Sequence, residues 1–153
     1  SDPRFLAPEN MPKLITEICN ETNQLVPETP GEIIRCVLES LALLYARTLR
    51  EGEKLVGWKV DKLHIVGGGS KNTLLNQLTA DAANIDVVAG PTEATASGNV
   101  LVQAIAEGVV SDLNEARQII HRSFDTETFN PKFSEQLKNM INRFDQLCGN
   151  PPL

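Results

Sequence analysis

The chain has 153 residues, of which 41% are hydrophobic and 22% are charged. This composition is typical of a folded globular protein, excludes a disordered chain, and at this length predicts one domain. The net charge of −6 argues against nucleic acid or an anionic membrane as the main partner, since both require clustered Lys and Arg. The sequence has no apolar run of the ~20 residues needed for a membrane span, and its start lacks the features of a signal peptide.

The first part of the chain predicts two helices. One is expected after Asn10, which has the side chain of an N-cap residue. Thr29 and Glu32 then have the spacing of a capping box, and apolar residues follow at helical intervals. Gly57 suits the left-handed position at the end of this second helix. A helix over about 30–56 would be roughly 40 Å long and would lie across a whole face of a domain.

Two short strands are predicted further along. Residues 63–69 read LHIVGGG, an apolar, β-branched run closed by three glycines, which is typical of a buried strand. Ser70 is placed to cap a helix over about 71–83, and IDVVAGP at 85–91 predicts the second strand. Because a helix joins the two strands, we expect them to be parallel, with a right-handed crossover.

Three more helices complete a predicted order of α-α-β-α-β-α-α-α. They are expected over 93–107, from the cap Ser111 to Arg122, and from Asn130-Pro131 to about 148. A buried parallel sheet usually has more than two strands and covered faces. The pattern therefore predicts a helix-rich α/β fold with a short parallel sheet, and we expect further strands to lie outside this chain.

The glycine-rich turn after the first strand is the strongest candidate for a binding site. Gly67, Gly68 and Gly69 allow positive φ and close approach of a ligand, and their N–H groups would face an anion at a helix N-terminus. Asn72 is expected in the first helical turn, with Asn76 one turn later on the same side. The turn has neither the P-loop nor the GxGxxG spacing, so a structural turn and a nucleotide site both remain open.

Three cysteines do not form a disulfide framework, and their spacing does not suggest a zinc site. Cys19 and Cys36 flank the turn between the first two helices, so we expect their Cα atoms to lie within the ~7 Å that a disulfide permits. Reduced thiols in a cytoplasmic protein are the first expectation, and a Cys19–Cys36 disulfide is the alternative.

Three segments together resemble the FGGY family of carbohydrate kinases. They are PETPGEIIRCVLESLALLYA at 27–46, LHIVGGGSKNTLLNQLTADA at 63–82 and VVAGPTEATASGN at 87–99. The resemblance extends from about Phe5 to Pro131. It implies that residues 1–153 are a C-terminal fragment of a two-domain kinase with the actin-like, ribonuclease H-like ATPase fold. Such kinases bind sugar and ATP between their domains and transfer the γ-phosphoryl group of Mg-ATP to a sugar hydroxyl.

The resemblance also assigns roles to residues. It places Gly67, Gly68 and Gly69 against the adenosine and α-phosphate of ATP, with Gly68 ranked first, Asn72 beside the adenine and Gly98 on the nucleotide side. The catalytic aspartate, the sugar contacts and most Mg²⁺ contacts are expected in an N-terminal kinase domain outside this chain. We therefore expect no catalytic or metal-binding residue here and no turnover by the chain alone. An exposed sheet edge would also permit self-association.

Two alternatives belong to other functional classes. The chain is compatible with a catalytically empty nucleotide-binding or assembly module that keeps the same fold. A dinucleotide-binding half-domain is a weaker alternative, because the three contiguous glycines lack the spacing of that motif.

Overall fold

The computed structural model describes residues 2–132 and 134–149. The helices are α1 (Met11–Glu21), α2 (Pro30–Val56), α3 (Thr73–Ala83), α4 (Ala94–Ala106), α5 (Leu113–Ser123) and α6 (Glu135–Leu147). The strands are β1 (Lys62–Ile65), β2 (Asp86–Ala89) and β3 (Glu127–Phe129), and short 3-10 turns lie at Pro3–Leu6 and Gly68–Lys71. The predicted helix-rich α/β fold is confirmed. Among the described residues, no helix combines the length and the apolarity that crossing a membrane requires.

Helix α2 begins and ends where the sequence predicts. The Thr29 hydroxyl accepts from the Glu32 N–H at 3.3 Å, and the Glu32 carboxylate accepts from the N–H groups of Thr29 at 2.9 Å and Glu28 at 2.8 Å. These bonds stabilise the charged carboxylate, and the one from Thr29 contributes most to lowering the pKa of Glu32. Gly57, at φ +79°, ends the helix in the left-handed region.

The core between α2 and α3 is built largely from alanine. Small side chains let the two helix backbones approach closely, which fixes the position of α3 relative to the long helix. The buried residues of this cluster are Ala42, Leu43, Ala46 and Ala82, and Ile141 and Phe144 of α6 pack against it. A contact of 3.3 Å between Arg50 and the buried Asp145 also joins α2 to α6.

The sheet has the order β1-β2-β3, and β1 pairs with β2 in parallel, as predicted. Leu63 lies opposite Val87, and Val87 lies opposite Phe129 on the other side. Alternate residues of the three strands face α3 and form a second cluster with its Ala80. Among the described residues the outer edge of β1 has no strand beside it.

The third strand, β3, was not predicted, and it makes the sheet mixed because it runs antiparallel to β2. It has three residues, of which only Phe129 is buried. Such a segment is too short to show alternating hydrophobicity, so the sequence pattern could not identify it. It forms a strand because the edge of β2 is available for pairing.

The predicted start of α5 was wrong by one residue. Asp112, and not Ser111, is its N-cap, and the Asp112 carboxylate accepts from the N–H groups of Asn114 and Glu115. The Ser111 N–H and hydroxyl both donate to the Glu115 carboxylate at 2.7 Å. The sequence offers two adjacent capping side chains, and the carboxylate, which is the stronger acceptor, takes the cap.

The predicted start of α6 at Asn130-Pro131 was also wrong. The helix begins at Glu135, and the Ser134 hydroxyl accepts from the Leu137 N–H at 3.2 Å. The preceding residues are held away from helical geometry, because Asn130 donates to Asp86 at 2.9 Å and the Lys132 N–H donates to Asp81 at 2.7 Å. Phe133, which falls within the predicted helix, lies outside the described residues.

The capping box gives a stability prediction. Replacing Thr29 with Ala removes the acceptor for the Glu32 N–H, and should lower the free energy of unfolding by about 1 kcal/mol. Thr29→Ser keeps the oxygen and is the matched control. Urea denaturation monitored by circular dichroism measures both, and equal stability of the Ala and Ser variants would show that the cap contributes nothing.

Candidate functional site

The candidate site is the glycine turn between β1 and α3. The chain leaves β1 at Ile65, reaches Gly67 at φ +76° and ψ −163°, and then forms the 3-10 turn Gly68–Lys71. This combination of angles is open almost only to glycine. Gly67 therefore uses the positive φ that the glycines of this turn allow.

The carbonyl groups of the turn are bonded on its inner side. The Gly67 carbonyl accepts from the Ser70 N–H at 3.1 Å and from the Ser70 hydroxyl at 2.7 Å, while the Gly69 carbonyl accepts from the Asn72 N–H at 3.1 Å. The Gly67 N–H donates to the Pro91 carbonyl at 2.9 Å. The turn is therefore held both by its own atoms and by the segment that follows β2.

The outer side of the turn is open. Within the described part of the chain, the N–H groups of Gly68 and Gly69 have no hydrogen-bond partner. Both residues are exposed, and a Cβ atom built on Gly68 would meet nothing within 4 Å. Two unpaired backbone donors thus lie in exposed residues just before α3, where the helix dipole also favours negative charge.

Asn72, and not Ser70, is the N-cap of α3. Its side-chain oxygen accepts from the Leu75 N–H at 3.0 Å, and α3 begins at Thr73. Ser70 is buried and uses its hydroxyl to close the turn, which is why it does not cap the helix. Asn72 remains exposed, so its amide NH₂ group is accessible beside the turn.

Asn76 is not beside Asn72 on the surface, as the helical spacing suggested. It is fully buried, and its Nδ2 donates to the Ser70 carbonyl at 2.8 Å. One signal in the sequence could have indicated this burial. Asn76 lies four residues before Ala80 and so on the same side of α3 as that small apolar residue.

Gly98 lies in α4 and lines a cavity of ≈ 750 Å³ on the opposite face of the sheet from α3. The same cavity is lined by Gly90 and Pro91, so it adjoins the segment whose carbonyl holds Gly67. Gly90 has φ +112°, and a Cβ atom there would lie 3.0 Å from the Asp125 carbonyl oxygen. The structure therefore connects Gly98 to the glycine turn through Gly90 and Pro91.

A second concavity, the β1 groove, lies between α2 and the outer edge of β1. Its volume is ≈ 880 Å³, and its lining is mostly apolar, with Tyr45, Leu49, Val56, Trp58 and Leu63 among the contributing residues. Trp58 is 62% exposed and Val56 is 55% exposed. The described residues contain no group of three or more His, Cys, Asp or Glu side chains that suits a metal ion.

Cys19 is buried, Cys36 is half-buried, and both are free thiols. The separation expected for their Cα atoms stays a prediction. Burial raises the pKa of the Cys19 thiol to about 11, and the neighbouring Cys36 adds to the shift. A charged thiolate is unfavourable at this position because it would be both desolvated and close to a second sulfur.

Comparison with known proteins identifies the family of the chain. The family described as "FGGY family of carbohydrate kinases, C-terminal domain" matches residues 1–107. The chain belongs to the FGGY family of carbohydrate kinases. It is 44% identical to the rhamnulokinase of Bacillus subtilis (strain 168) over 146 residues, which cover 95% of this chain and 30% of that protein. It is 49% identical to the rhamnulokinase of Enterococcus faecalis over 148 residues, 94% of this chain and 30% of that protein.

These relatives are longer than the chain. The chain spans about 30% of their length. The similarity covers the glycine turn, both helices that flank it and the parallel strand pair.

The pKa of Cys19 predicts an order of alkylation. Iodoacetamide reacts with thiolates, and a thiol with a pKa of about 11 stays almost fully protonated at pH 8. Exposed Cys148 should react at least roughly tenfold faster than Cys19. Peptide mass spectrometry measures both rates, and the Cys19 rate should still be rising between pH 9 and 10. Equal rates at pH 8 would contradict the predicted burial.

Proposed function

We propose that this chain forms the ATP-binding side of a sugar kinase that acts on L-rhamnulose. The reaction would transfer the γ-phosphoryl group of ATP to the 1-hydroxyl and yield L-rhamnulose 1-phosphate and ADP, a step of L-rhamnose catabolism in the cytoplasm. The observation that carries the proposal is the glycine turn, whose carbonyl groups are bonded inward while the Gly68 and Gly69 N–H groups remain free. The names of the relatives support the choice of sugar.

The turn suits the adenosine and α-phosphate end of ATP. Gly68 and Gly69 would donate their N–H groups to phosphate oxygens, and the absence of side chains lets the nucleotide approach the backbone. Asn72, whose oxygen caps α3, would offer its NH₂ group to the adenine. Gly98 would leave space on the α4 side, since a Cβ atom there meets nothing within 4 Å.

Phosphoryl transfer depends mainly on positioning and on stabilising charge. Mg²⁺ supplies that charge stabilisation when it is bound, and we assign most of its contacts to kinase segments outside this chain. The general base and the sugar contacts are assigned there as well. This chain alone would hold one end of the nucleotide, and it would neither orient the γ-phosphoryl group nor activate the sugar hydroxyl.

The β1 groove is where we place those further segments of the kinase. Its apolar lining, with Trp58 largely exposed, requires a cover of similar character. The outer edge of β1 offers backbone groups for another strand. Since the relatives are about three times as long as this chain, the same polypeptide supplies enough residues for that cover. Self-association of the isolated chain through this groove is the competing outcome, which light scattering would detect.

Gly68→Val in the complete kinase tests the turn. Gly68 does not have positive φ, and the added side chain meets no protein atom at Cβ, so the fold should tolerate it. The valine would occupy the space of the nucleotide, and the KM for ATP should rise by at least about tenfold while the KM for L-rhamnulose changes less than twofold. A coupled ADP-release assay measures both constants.

Gly31→Val is the matched control, because Gly31 lies in the first turn of α2 and a Cβ atom there also meets nothing within 4 Å. It should leave both KM values unchanged. An unchanged ATP KM in Gly68→Val would refute the assignment of the turn to ATP.

The isolated chain should show no ADP release with ATP and L-rhamnulose, because the base and the sugar contacts are missing. Robust turnover by the isolated chain would overturn this division of the site. Inactivity of the complete protein towards L-rhamnulose and other sugars, with ATP still bound, would favour the alternative of a catalytically empty nucleotide-binding module.

For Cys19 and Cys36 we propose reduced thiols, with a Cys19–Cys36 disulfide as the alternative that oxidation would reveal. The thiols are adjacent, and oxidised glutathione would accept the two electrons and two protons that they lose. Non-reducing peptide mapping after such treatment should find the Cys19–Cys36 crosslink, which Cys36→Ser should abolish. Glutathione adducts without a crosslink would contradict it.

A further inference from the structure

Asn76 is a polar side chain placed where packing alone would favour an apolar one. It has no exposed surface, and its neighbours on α3 include the buried Ala80. Its Nδ2 donates to the Ser70 carbonyl at 2.8 Å, while its Oδ1 has no partner among the described residues. Burying an amide with one group unsatisfied destabilises a fold relative to a satisfied one. Core packing alone therefore does not explain an asparagine at this position, and the bond that it makes points to a further role.

That bond is made to the residue that organises the turn. Ser70 binds the Gly67 carbonyl through both its N–H and its hydroxyl, and its hydroxyl lies 3.5 Å from that of Thr92. Asn76, from the first turn of α3, donates to the carbonyl of this same Ser70. Asn76 thus keeps a third carbonyl of the turn, after those of Gly67 and Gly69, away from the outer surface.

The direction of these carbonyl groups decides what the turn presents to a ligand. The Gly67 carbonyl and the Gly68 N–H belong to one planar peptide unit. The two bonds from Ser70 that hold the Gly67 oxygen therefore direct the Gly68 N–H to the opposite side, and the Asn76 bond fixes Ser70 in place. A peptide that rotated would instead place a partly negative oxygen beside an incoming phosphate. Ser70 is buried, so water does not readily replace the Asn76 donor.

We propose that Asn76 is a positioning residue for nucleotide binding. It acts through the Ser70 carbonyl and holds the glycine turn in the conformation that presents the Gly68 and Gly69 N–H groups. The inference rests on the proposed function of the turn. Asn76 itself touches no ligand, since it is fully buried.

The test is made in the complete kinase with Asn76→Leu, which keeps a similar volume and removes the donor. The ATP KM should rise by roughly 5- to 20-fold, the change expected for losing one buried hydrogen bond that orients the site. The kcat at saturating ATP should change less than about threefold, and the KM for L-rhamnulose less than twofold. Asn76→Ser, whose shorter side chain does not reach Ser70 and can bond to its own helix, should have the same effect and guards against misfolding of the leucine variant.

Thr79→Val is the matched control. Thr79 is equally buried on α3, but its hydroxyl donates at 2.7 Å to the Leu75 carbonyl within the same helix. It should lower the melting temperature without changing the ATP KM by more than twofold. A merely structural role for Asn76 would give the same result as this control.

Amide hydrogen exchange gives a second readout that does not require turnover. The amides of residues 68–72 should exchange faster in Asn76→Ser than in the parent and in Thr79→Val. Unchanged ATP KM and unchanged exchange in both Asn76 variants would overturn the inference. If Gly68→Val raises the ATP KM and the Asn76 variants do not, only the role of Asn76 is wrong. If Gly68→Val has no effect either, the assignment of the turn to ATP is wrong, and this inference falls with it.

Discussion

The glycine turn depends on the parallel pairing of β1 with β2. That pairing continues past the strands, because the Gly90 N–H donates to the Ile65 carbonyl at 2.8 Å and the Gly67 N–H donates to the Pro91 carbonyl at 2.9 Å. The two bonds bring the ends of both strands to the same edge, which is where α/β sheets place their ligands. Gly67 can then turn the chain away from β1 only with a backbone conformation that glycine tolerates. The site is a consequence of strand register and of one residue without a side chain.

An acidic protein can hold an anionic nucleotide because backbone donors act locally. The net charge of −6 repels an approaching anion, but salt screens this repulsion beyond a Debye length of roughly 8–10 Å in physiological buffer. N–H groups and a helix N-terminus act within hydrogen-bond distance, where screening is weak. The chain therefore needs no cluster of lysines at the turn. Its specificity for phosphate would come from the direction of the peptide groups. The affinity for phosphate would then depend on the residues that fix those directions.

Features decided by neighbouring residues could be predicted from the sequence, and features decided by distant ones could not. The capping box at Thr29, the left-handed Gly57 and the parallel strand pair are encoded within short segments, and all are present. The late start of α6 depends on Asp81 and Asp86, which are more than 40 residues away and hold the preceding segment extended. The strand β3 depends likewise on the edge of β2. The burial of Asn76 depends on the side of α3 that packs against the sheet, since Ala80, one turn later on the same side, lies in the cluster formed with the strands.

The same distinction divides the proposed kinase site. The glycine turn is held by contacts between residues 65 and 92, all of them within this chain, so under the proposal its conformation would not depend on other segments of the kinase. The β1 groove is the opposite case, since its apolar surface gains a partner only when another segment covers it. Nucleotide binding and sugar activation would then be coupled through β1. This strand borders the glycine turn at one end and the β1 groove along its side. A movement of the covering segment would shift β1. The Ile65 carbonyl, the last of that strand, accepts from the Gly90 N–H, so the shift would reach the segment that holds the turn.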